Sequence, residues 1–573
     1  MSGRSVRERL SALAAANRRT VLGALGGAVL GTAGAVALSG RGSPAEARDE
    51  SDGRTPGTDG AHATGTTLEE AASGTGTGPY RPLSAGPGWT RVLRDDLAAP
   101  GPGREGPRTP LAAFVQFTDT HVTDVQHPLR LEYLRTAAVG YWRPHETLTV
   151  AGLASLVERV NALRAGPATG EPLGFVMTTG DNTDNNSTNE LEWFLTAMNG
   201  GRITPAGDPA GYQGVQRSGL PLYWNPEDEL SDLDKQLGFP RLEGFLDAAL
   251  REVKSPGLDI PWYSTSGNHD LLATGVCADS TGYLAAFATG DRKLLELPHG
   301  EAATLYTSLR EGGDPLGRDL TEVLRTHRRA MVPVTPDERR TPFTRREYTA
   351  AHLAARHTGP GPVGHGYTED NLEQDTLYYT FRIADNVLGI SMDTTNAGGH
   401  WQGSVGTGQL TWLREQLVRH ADDHVLVFSH HASWSMTNDH PDPRHPGEER
   451  HLGEELIELF RRHPNVVGWI SGHSHRNRIE PRGSFWEVST ASHIDYPQLA
   501  RVIELAENGD GTLSLFTTLV ESAAPYATDP GDLSQTGLAA WYRELAFNAP
   551  GATLDRRLGK PDDRNTELLL PGR

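Results

Sequence analysis

Cysteine is almost absent from this 573-residue chain: Cys277 stands alone, so no internal disulfide can form and the fold must hold by packing. A single cysteine of this kind is expected as a small buried hydrophobe. Basic residues are outnumbered as well. With 53 Lys and Arg against 73 Asp and Glu the net charge is −20, which excludes the globally basic surface of a nucleic-acid or anionic-membrane binder. No nucleic-acid partner is expected. A long Leu/Ile-rich run is missing too. Val21 to Leu38 carries no charge, but alanine dominates it and five glycines break it, so no stable membrane anchor is expected. No repeat of fixed period is visible.

The flanks of that apolar stretch give it another meaning. Arg4, Arg7 and Arg9 precede it, Asn17-Arg18-Arg19-Thr20 opens it, and Ala45-Glu46-Ala47 follows with the small-x-small form of a cleavage site. Residues 1–47 resemble a twin-arginine export signal, which implies a secreted or cell-envelope protein. Removing them takes away six basic and two acidic residues and moves the net charge from −20 to −24. Residues 48–79 are mostly Gly, Ser, Thr, Asp and Ala, and are expected as a disordered linker. An arm containing Trp89 and Leu93 then leads into a domain expected over residues 80–525. Insertions are expected near 200–258 and 271–375, and a C-terminal extension at 526–573.

Within the domain, apolar runs predict strands at Leu111–Phe117, Gly174–Thr179, Ile260–Ser264, His424–Phe428 and Val466–Ile470. A hairpin is predicted from Leu377–Ile383 and Val387–Met392. Later strands are predicted at Phe485–Ser489, Ala500–Leu505 and Leu513–Glu521. Three-and-four spacing predicts helices at Thr149–Arg164, Asn189–Met198, Leu410–His420, Glu454–Arg462 and Leu538–Ala546, the last followed by a polar tail. A further helix, interrupted at Gly238 and Pro240, is predicted over Asp232–Lys254. The insertion after Asp270 is expected to lie over the functional face, with its basic run Arg325–Arg329 as solvated surface.

Five of the strand-like runs end within a few residues of Asp, His or Asn: Asp119 and His121, Asp181, Asn268 and His269, His430 and His431, His473 and His475. In layered α/β folds ligands gather beyond the carboxyl ends of strands, so residues far apart in sequence converge there. Two residues at i and i+2 reach one site only where strand geometry relaxes into a loop. Carboxylate and imidazole with one amide oxygen suit a borderline ion such as Zn, Mn or Fe better than an all-oxygen calcium site. The donors outnumber what one tetrahedral ion takes, which points to two metal ions.

Read in order, Asp119-x-His121, Gly180-Asp181-x-x-Asp184, Gly267-Asn268-His269-Asp270, His430-His431 and Gly472-His473-x-His475 resemble the calcineurin-like metallophosphoesterase family. The blocks span roughly residues 111–495. The resemblance implies an α/β fold of four layers, an α/β/β/α sandwich with large loop insertions. It also implies a first metal held by Asp119, His121, Asp181 and His475, and a second by Asp181, Asn268, His430 and His473, with Asp181 shared. His269 would be the protonating histidine and Asp270 its orienting partner. His431 is the alternative to His430, and Ala432 departs from the family's usual His-x-Pro. Asp184 is either part of the site or a cap. Asn182 and Thr183 occupy the place where the purple acid phosphatase branch carries a tyrosine ligand, so that type is not expected. The implied activity is metal-dependent hydrolysis of a phosphoester substrate. The rival expectation is a non-enzymatic binding protein on the same scaffold, although such proteins usually lose ligands and none of these positions is lost.

Overall fold

The computed structural model describes residues 64–205, 211–279, 281–552 and 554–572. The proposed export signal and residues 48–63 of the expected linker lie outside the described residues.

Two sheets face each other. In chain order their strands are β1 (Val92–Arg94), β2 (Thr109–Phe117), β3 (Phe175–Thr179), β4 (Trp262–Thr265), β5 (Tyr379–Ala384), β6 (Val387–Ser391), β7 (His424–Phe428), β8 (Val466–Ser471), β9 (Arg478–Pro481), β10 (Trp486–Ser489), β11 (Leu499–Glu507), β12 (Leu513–Glu521) and β13 (Thr566–Leu570). The first sheet runs β1-β13-β12-β11-β2-β3-β4 and the second β5-β6-β7-β8-β10-β9. The strands that carry the site run parallel to one another, β2, β3 and β4 in one sheet and β6, β7, β8 and β10 in the other, and antiparallel strands β11, β5 and β9 flank these sets. They are buried on both faces, which is why they are runs of Val, Ile, Phe and Met without alternation.

Aromatic rings fill the space between the sheets. Phe114 of β2 meets Phe428 of β7 at 5.6 Å between centroids, and Tyr263 of β4 stacks on Phe381 of β5 at 4.0 Å. At the site end the filling turns polar: Gln116 donates to the Ser471 carbonyl at 3.0 Å, and Thr265 and Ser391 share a hydrogen bond at 2.8 Å. Helices cover the outer faces. These are α1 (Thr149–Ala162), α2 (Thr188–Asn199), α3 (Arg345–Leu353), α4 (Thr407–Arg419), α5 (Gly453–Arg461) and α6 (Gln535–Asn548). Leu410, Leu413 and Leu417 of α4 join Leu456, Ile457 and Phe460 of α5 over β6 to β8, whereas α1 and α6 pack against one another beside the first sheet. The expected α/β/β/α layering is what the chain forms. Among the described residues no helix is long and apolar enough to cross a membrane.

The structure corrects several expectations. Residues 64–79 are not linker. Glu70–Gly74 pairs antiparallel with Leu83–Pro87, Thr67 donates to the Leu519 carbonyl at 3.0 Å, and Ala72 N–H donates to the Glu521 carboxylate at 3.0 Å. Backbone and hydroxyl hydrogen bonds to a preformed sheet hold a segment whose side chains are too small to bury much area. Residues 526–573 are not an extension either. β13 sits inside the first sheet between β1 and β12, with Leu568, Leu569 and Leu570 buried, so the expected polar tail supplies an interior strand. The predicted helix over Asp232–Lys254 breaks into a 3-10 turn at Lys235–Leu237, a short helix at Phe245–Ala249 and a strand at Val253–Ser255. Gly238 in the left-handed region and Pro240 end the first piece before a second turn forms.

The expected insertion at 200–258 is part of the main core through Trp224, Phe239 and Phe245. The one at 271–375 divides. Its first part packs with Leu129, Tyr133 and Leu134 into a second, smaller core containing the buried Cys277 with Leu284, Leu305 and Leu320, and its second part sends Tyr348 and Tyr367 into the main core. The run Arg325–Arg329 is solvent-facing, as expected, whereas Arg340 is buried against Asp124 at 2.7 Å.

Candidate metal centre

The loops beyond β2, β3, β4, β7 and β8 converge. Asp119 N–H donates to the Gly180 carbonyl at 3.0 Å and His121 N–H to the Asp181 carbonyl at 2.9 Å, so the first two loops continue the β2–β3 pairing past the strand ends. Asp119, His121, Asp181, His473 and His475 all have positive φ, between 41° and 63°. That is how residues at i and i+2 leave the strand alternation and face one site. Each such residue costs about 1–3 kcal/mol, and strain gathered on candidate ligands marks a site held in place by its surroundings.

The donor atoms form overlapping groups, Asp119 with His121 and His475, and Asp119 with Asp181 and His430, each within 4.8 Å. His475 Nε2 is 3.3 Å from Asp119 Oδ1, and His121 Nε2 is 3.5 Å from Asp181 Oδ2. Asp181 Oδ2 also lies 3.2 Å from His430 Nε2, placing Asp181 between the two groups. Asn268 Oδ1 is 3.0 Å from His430 Nε2, and His473 Nδ1 is 3.1 Å from the same nitrogen. His121 Nε2 and His473 Nε2 are buried with no hydrogen-bond partner. Converging lone pairs and orphaned imidazole nitrogens around two carboxylates fit cations in this space.

Surrounding groups fix which nitrogen faces inward. His430 Nδ1 donates to the Thr179 carbonyl at 2.8 Å, leaving Nε2 for the site. Asn268 donates through Nδ2 to the Gly275 carbonyl at 2.8 Å, which aims Oδ1 inward. His475 Nδ1 is 2.6 Å from Asp495 Oδ2, and Asp495 in turn pairs with Arg143 at 2.8 Å and Arg557 at 2.9 Å. Sequence reading missed Asp495, although it follows β10 as the other acids follow their strands. Asp495→Ala is expected to weaken metal binding on the His475 side by about 10–100-fold, because a carboxylate behind a ligating histidine fixes its tautomer and basicity. Chelator competition measures it, and unchanged affinity would contradict the assignment.

His430, His431 and His473 also form a group whose ring nitrogens lie within 4.8 Å of one another, and the hydrogen bonds of the first two differ. His431 Nε2 donates to the Trp401 carbonyl at 3.0 Å and Nδ1 pairs with Thr394 Oγ1 at 2.8 Å, so both ring nitrogens are occupied. Burial, reinforced by His430, pushes its pKa down to about 3. Burial also opposes charge on His430, but Asp181 and then Asp119 outweigh it and raise the pKa to about 9. Were His430 to hold an ion, that proton would have to leave, since only neutral imidazole ligates. Burial likewise opposes charge on Asp181, yet His430 and His269 hold its carboxyl well below the usual range.

Asp270 does not orient His269. Its carboxylate accepts from Thr183 N–H at 2.9 Å, Gly267 N–H at 2.8 Å and Asn182 N–H at 3.2 Å, pinning the second and third blocks together. The His269 ring is held by Asp184, whose carbonyl accepts from Nδ1 at 2.7 Å. Asp184 Oδ1 also lies 2.9 Å from His121 Nδ1, and its other oxygen pairs with Arg130. Asp184 belongs to the site rather than capping a helix. Sterics account for Gly267: its φ is −116°, and a Cβ would sit 2.2 Å from Asp181 Oδ1.

The model of the family described as calcineurin-like phosphoesterase matches residues 112–477. No curated protein matches the chain. Among solved structures it is similar to a dimetal phosphatase from Danio rerio, at 11% identity and a TM-score of 0.35, covering 72% of this chain and 99% of that one. It is also similar to GAP50, described as the anchor in the inner membrane complex of Plasmodium, at 10% identity and a TM-score of 0.25, covering 78% and 97%. A third is a Staphylococcus aureus protein provisionally described as a 5'-nucleotidase, in complex with alpha-ketoglutarate, at 14% identity and a TM-score of 0.28, covering 75% and 58%.

Proposed function

The chain belongs to the calcineurin-like phosphoesterase family, and on that premise we propose that it hydrolyses phosphoesters at a two-metal centre. The first metal is assigned to Asp119, His121, Asp181 and His475, the second to Asp181, Asn268, His430 and His473. The observation that carries this reading is Asp181: its Oδ2 lies 3.2 Å from His430 Nε2 of one group and 3.5 Å from His121 Nε2 of the other. Mn, Fe and Zn all suit such a donor set. Bound there, two ions supply Lewis acidity toward phosphoryl oxygens and a water acidic enough to attack at neutral pH.

The chain's own residues do the rest. Asp119 is fixed by Thr118 Oγ1 at 2.6 Å and by His473 N–H at 3.0 Å, so its position does not depend on substrate. The His269 ring is partly exposed, at 26% of its side chain. With Nδ1 committed to the Asp184 carbonyl, Nε2 faces away from that bond and can hand a proton to a departing alkoxide or phenolate. Asp270 keeps the His269 backbone seated on the Asp181 loop, where His269 N–H donates to Asp181 Oδ1 at 2.8 Å.

Metal-loaded protein should turn over bis-p-nitrophenyl phosphate or mono-p-nitrophenyl phosphate when Mn, Zn or Fe is supplied, and lose that turnover to a chelator. The preferred compound separates diesterase from monoesterase. A chain that binds two ions and hydrolyses neither would favour a non-enzymatic binding role on the same scaffold.

A further inference from the structure

Outside the histidine cluster, a cavity of about 700 Å³ opens where the chain leaves His475. Its walls are Arg476 to Glu480 on one side, residues 555–564 on the other, and Arg94 of β1 at the edge. Positive charge collects there in a chain whose net charge is −20. Some of it is neutralised locally. Arg478 pairs with Glu480 at 2.8 Å, and Arg94 pairs with Asp96 at 2.9 Å. Three further acids line the cavity, Asp555, Asp562 and Asp563, against the cations Arg476, Arg556, Lys560 and Arg564; of these acids Asp563 is committed, accepting from the backbone N–H groups of Ile479 at 2.9 Å and Lys560 at 3.0 Å.

Among the described residues Arg476, Arg556 and Lys560 form no ion pair with a carboxylate. Arg476 Nε is buried without a hydrogen-bond partner. A buried guanidinium nitrogen left unpaired beside two further free cations is costly unless an anion completes it. Arginine forks suit tetrahedral oxyanions, which accept two parallel N–H donors.

We propose that this cavity binds a phosphate-type oxyanion through Arg476, Arg556 and Lys560, at a site separate from the metal ligands. It is coupled to them. Arg557, next to Arg556, holds Asp495 at 2.9 Å, and Asp495 holds His475 Nδ1 at 2.6 Å. An anion that draws the 555–564 segment onto Arg476 therefore steadies the carboxylate behind a metal-binding histidine. The anion is either free phosphate or a second phosphoryl group carried by a substrate.

Calorimetric titration of the metal-loaded full chain with inorganic phosphate tests the idea. Two binding events per chain are expected, and R476A/R556A should retain one. Arg556 is exposed, so R556A alone cannot fail through misfolding; it should weaken the second event by at least about tenfold, the scale of one charge-assisted hydrogen bond. The source of the anion shows in kinetics. A raised KM for adenosine 3',5'-bisphosphate with p-nitrophenyl phosphate unaffected identifies a substrate-borne group. Loss of the second phosphate event without a change in either KM identifies free phosphate. A single event in the wild type, or two events undisturbed in both variants, would overturn the proposal. Because the titration needs no turnover, its failure would leave the hydrolytic reading standing, and the reverse holds too.

Discussion

Replacing Asp181 by asparagine is expected to lower phosphoester turnover by on the order of 10³-fold and to leave fewer than two ions bound per chain. The size follows from what the substitution does to one atom. Asp181 Oδ1 is taken by His269 N–H at 2.8 Å, so the amide oxygen of the variant remains on that side. The new NH2 then occupies the place of Oδ2, which lies 3.2 Å from His430 Nε2 and 3.5 Å from His121 Nε2. A donor with no lone pair replaces the oxygen shared by both groups, while shape and packing barely change. The variant should keep its thermal stability in chelator to within a few degrees. Wild-type turnover with two bound ions would contradict the assignment of Asp181.

His269→Ala should behave differently. Turnover is expected to fall by about 10²–10⁴-fold, the range for a positioned general acid, with both ions retained. The His269 ring nitrogen lies within 4.8 Å of donor atoms of His121 and Asp181, but among the described residues it forms no hydrogen bond or ion pair with Asp119, Asp181 or His430; its polar anchor is the Asp184 carbonyl, and it meets the His121 ring at 4.6 Å between centroids. The loss should shrink for esters whose alcohol is a good leaving group, such as p-nitrophenol, and grow for alkyl esters that need protonation. A loss independent of leaving group, or one accompanied by loss of metal, would show that His269 positions the loop instead.

The parts of this molecule legible in the sequence were those in which one strand carries both signals, an apolar run and a polar end. β2, β3, β7 and β8 each combine them, so their positions and the cluster beyond them could be read together. β13 could not. Its three leucines lie in a polar, arginine-rich stretch after the last helix, and only pairing with β12 and β1, far away in sequence, makes it an interior strand. Residues 64–79 were misleading for a related reason: their order comes from backbone hydrogen bonds to the rest of the fold, which composition does not record.

The internal wiring of the site was the other gap. Gly267-Asn268-His269-Asp270 places an acid beside a histidine in the sequence, yet the short helix at Asn268–Leu271 turns Asp270 toward the loop of Asn182 and Thr183, away from the His269 ring. Adjacent helical residues do not face one another. The groups that do orient the rings, the Asp184 carbonyl and Asp495, are a backbone atom and a residue on another strand end. The first leaves no mark in side-chain identity, and the second is visible only once β10 is known to lie beside β8.

Anomalous scattering from crystals of the metal-loaded protein tests the central claim most directly. The account predicts two peaks per chain, one bounded by Asp119, His121 and His475 and one by Asn268, His430 and His473, with Asp181 reaching both. A single peak, or ions seated away from Asp181, would contradict it.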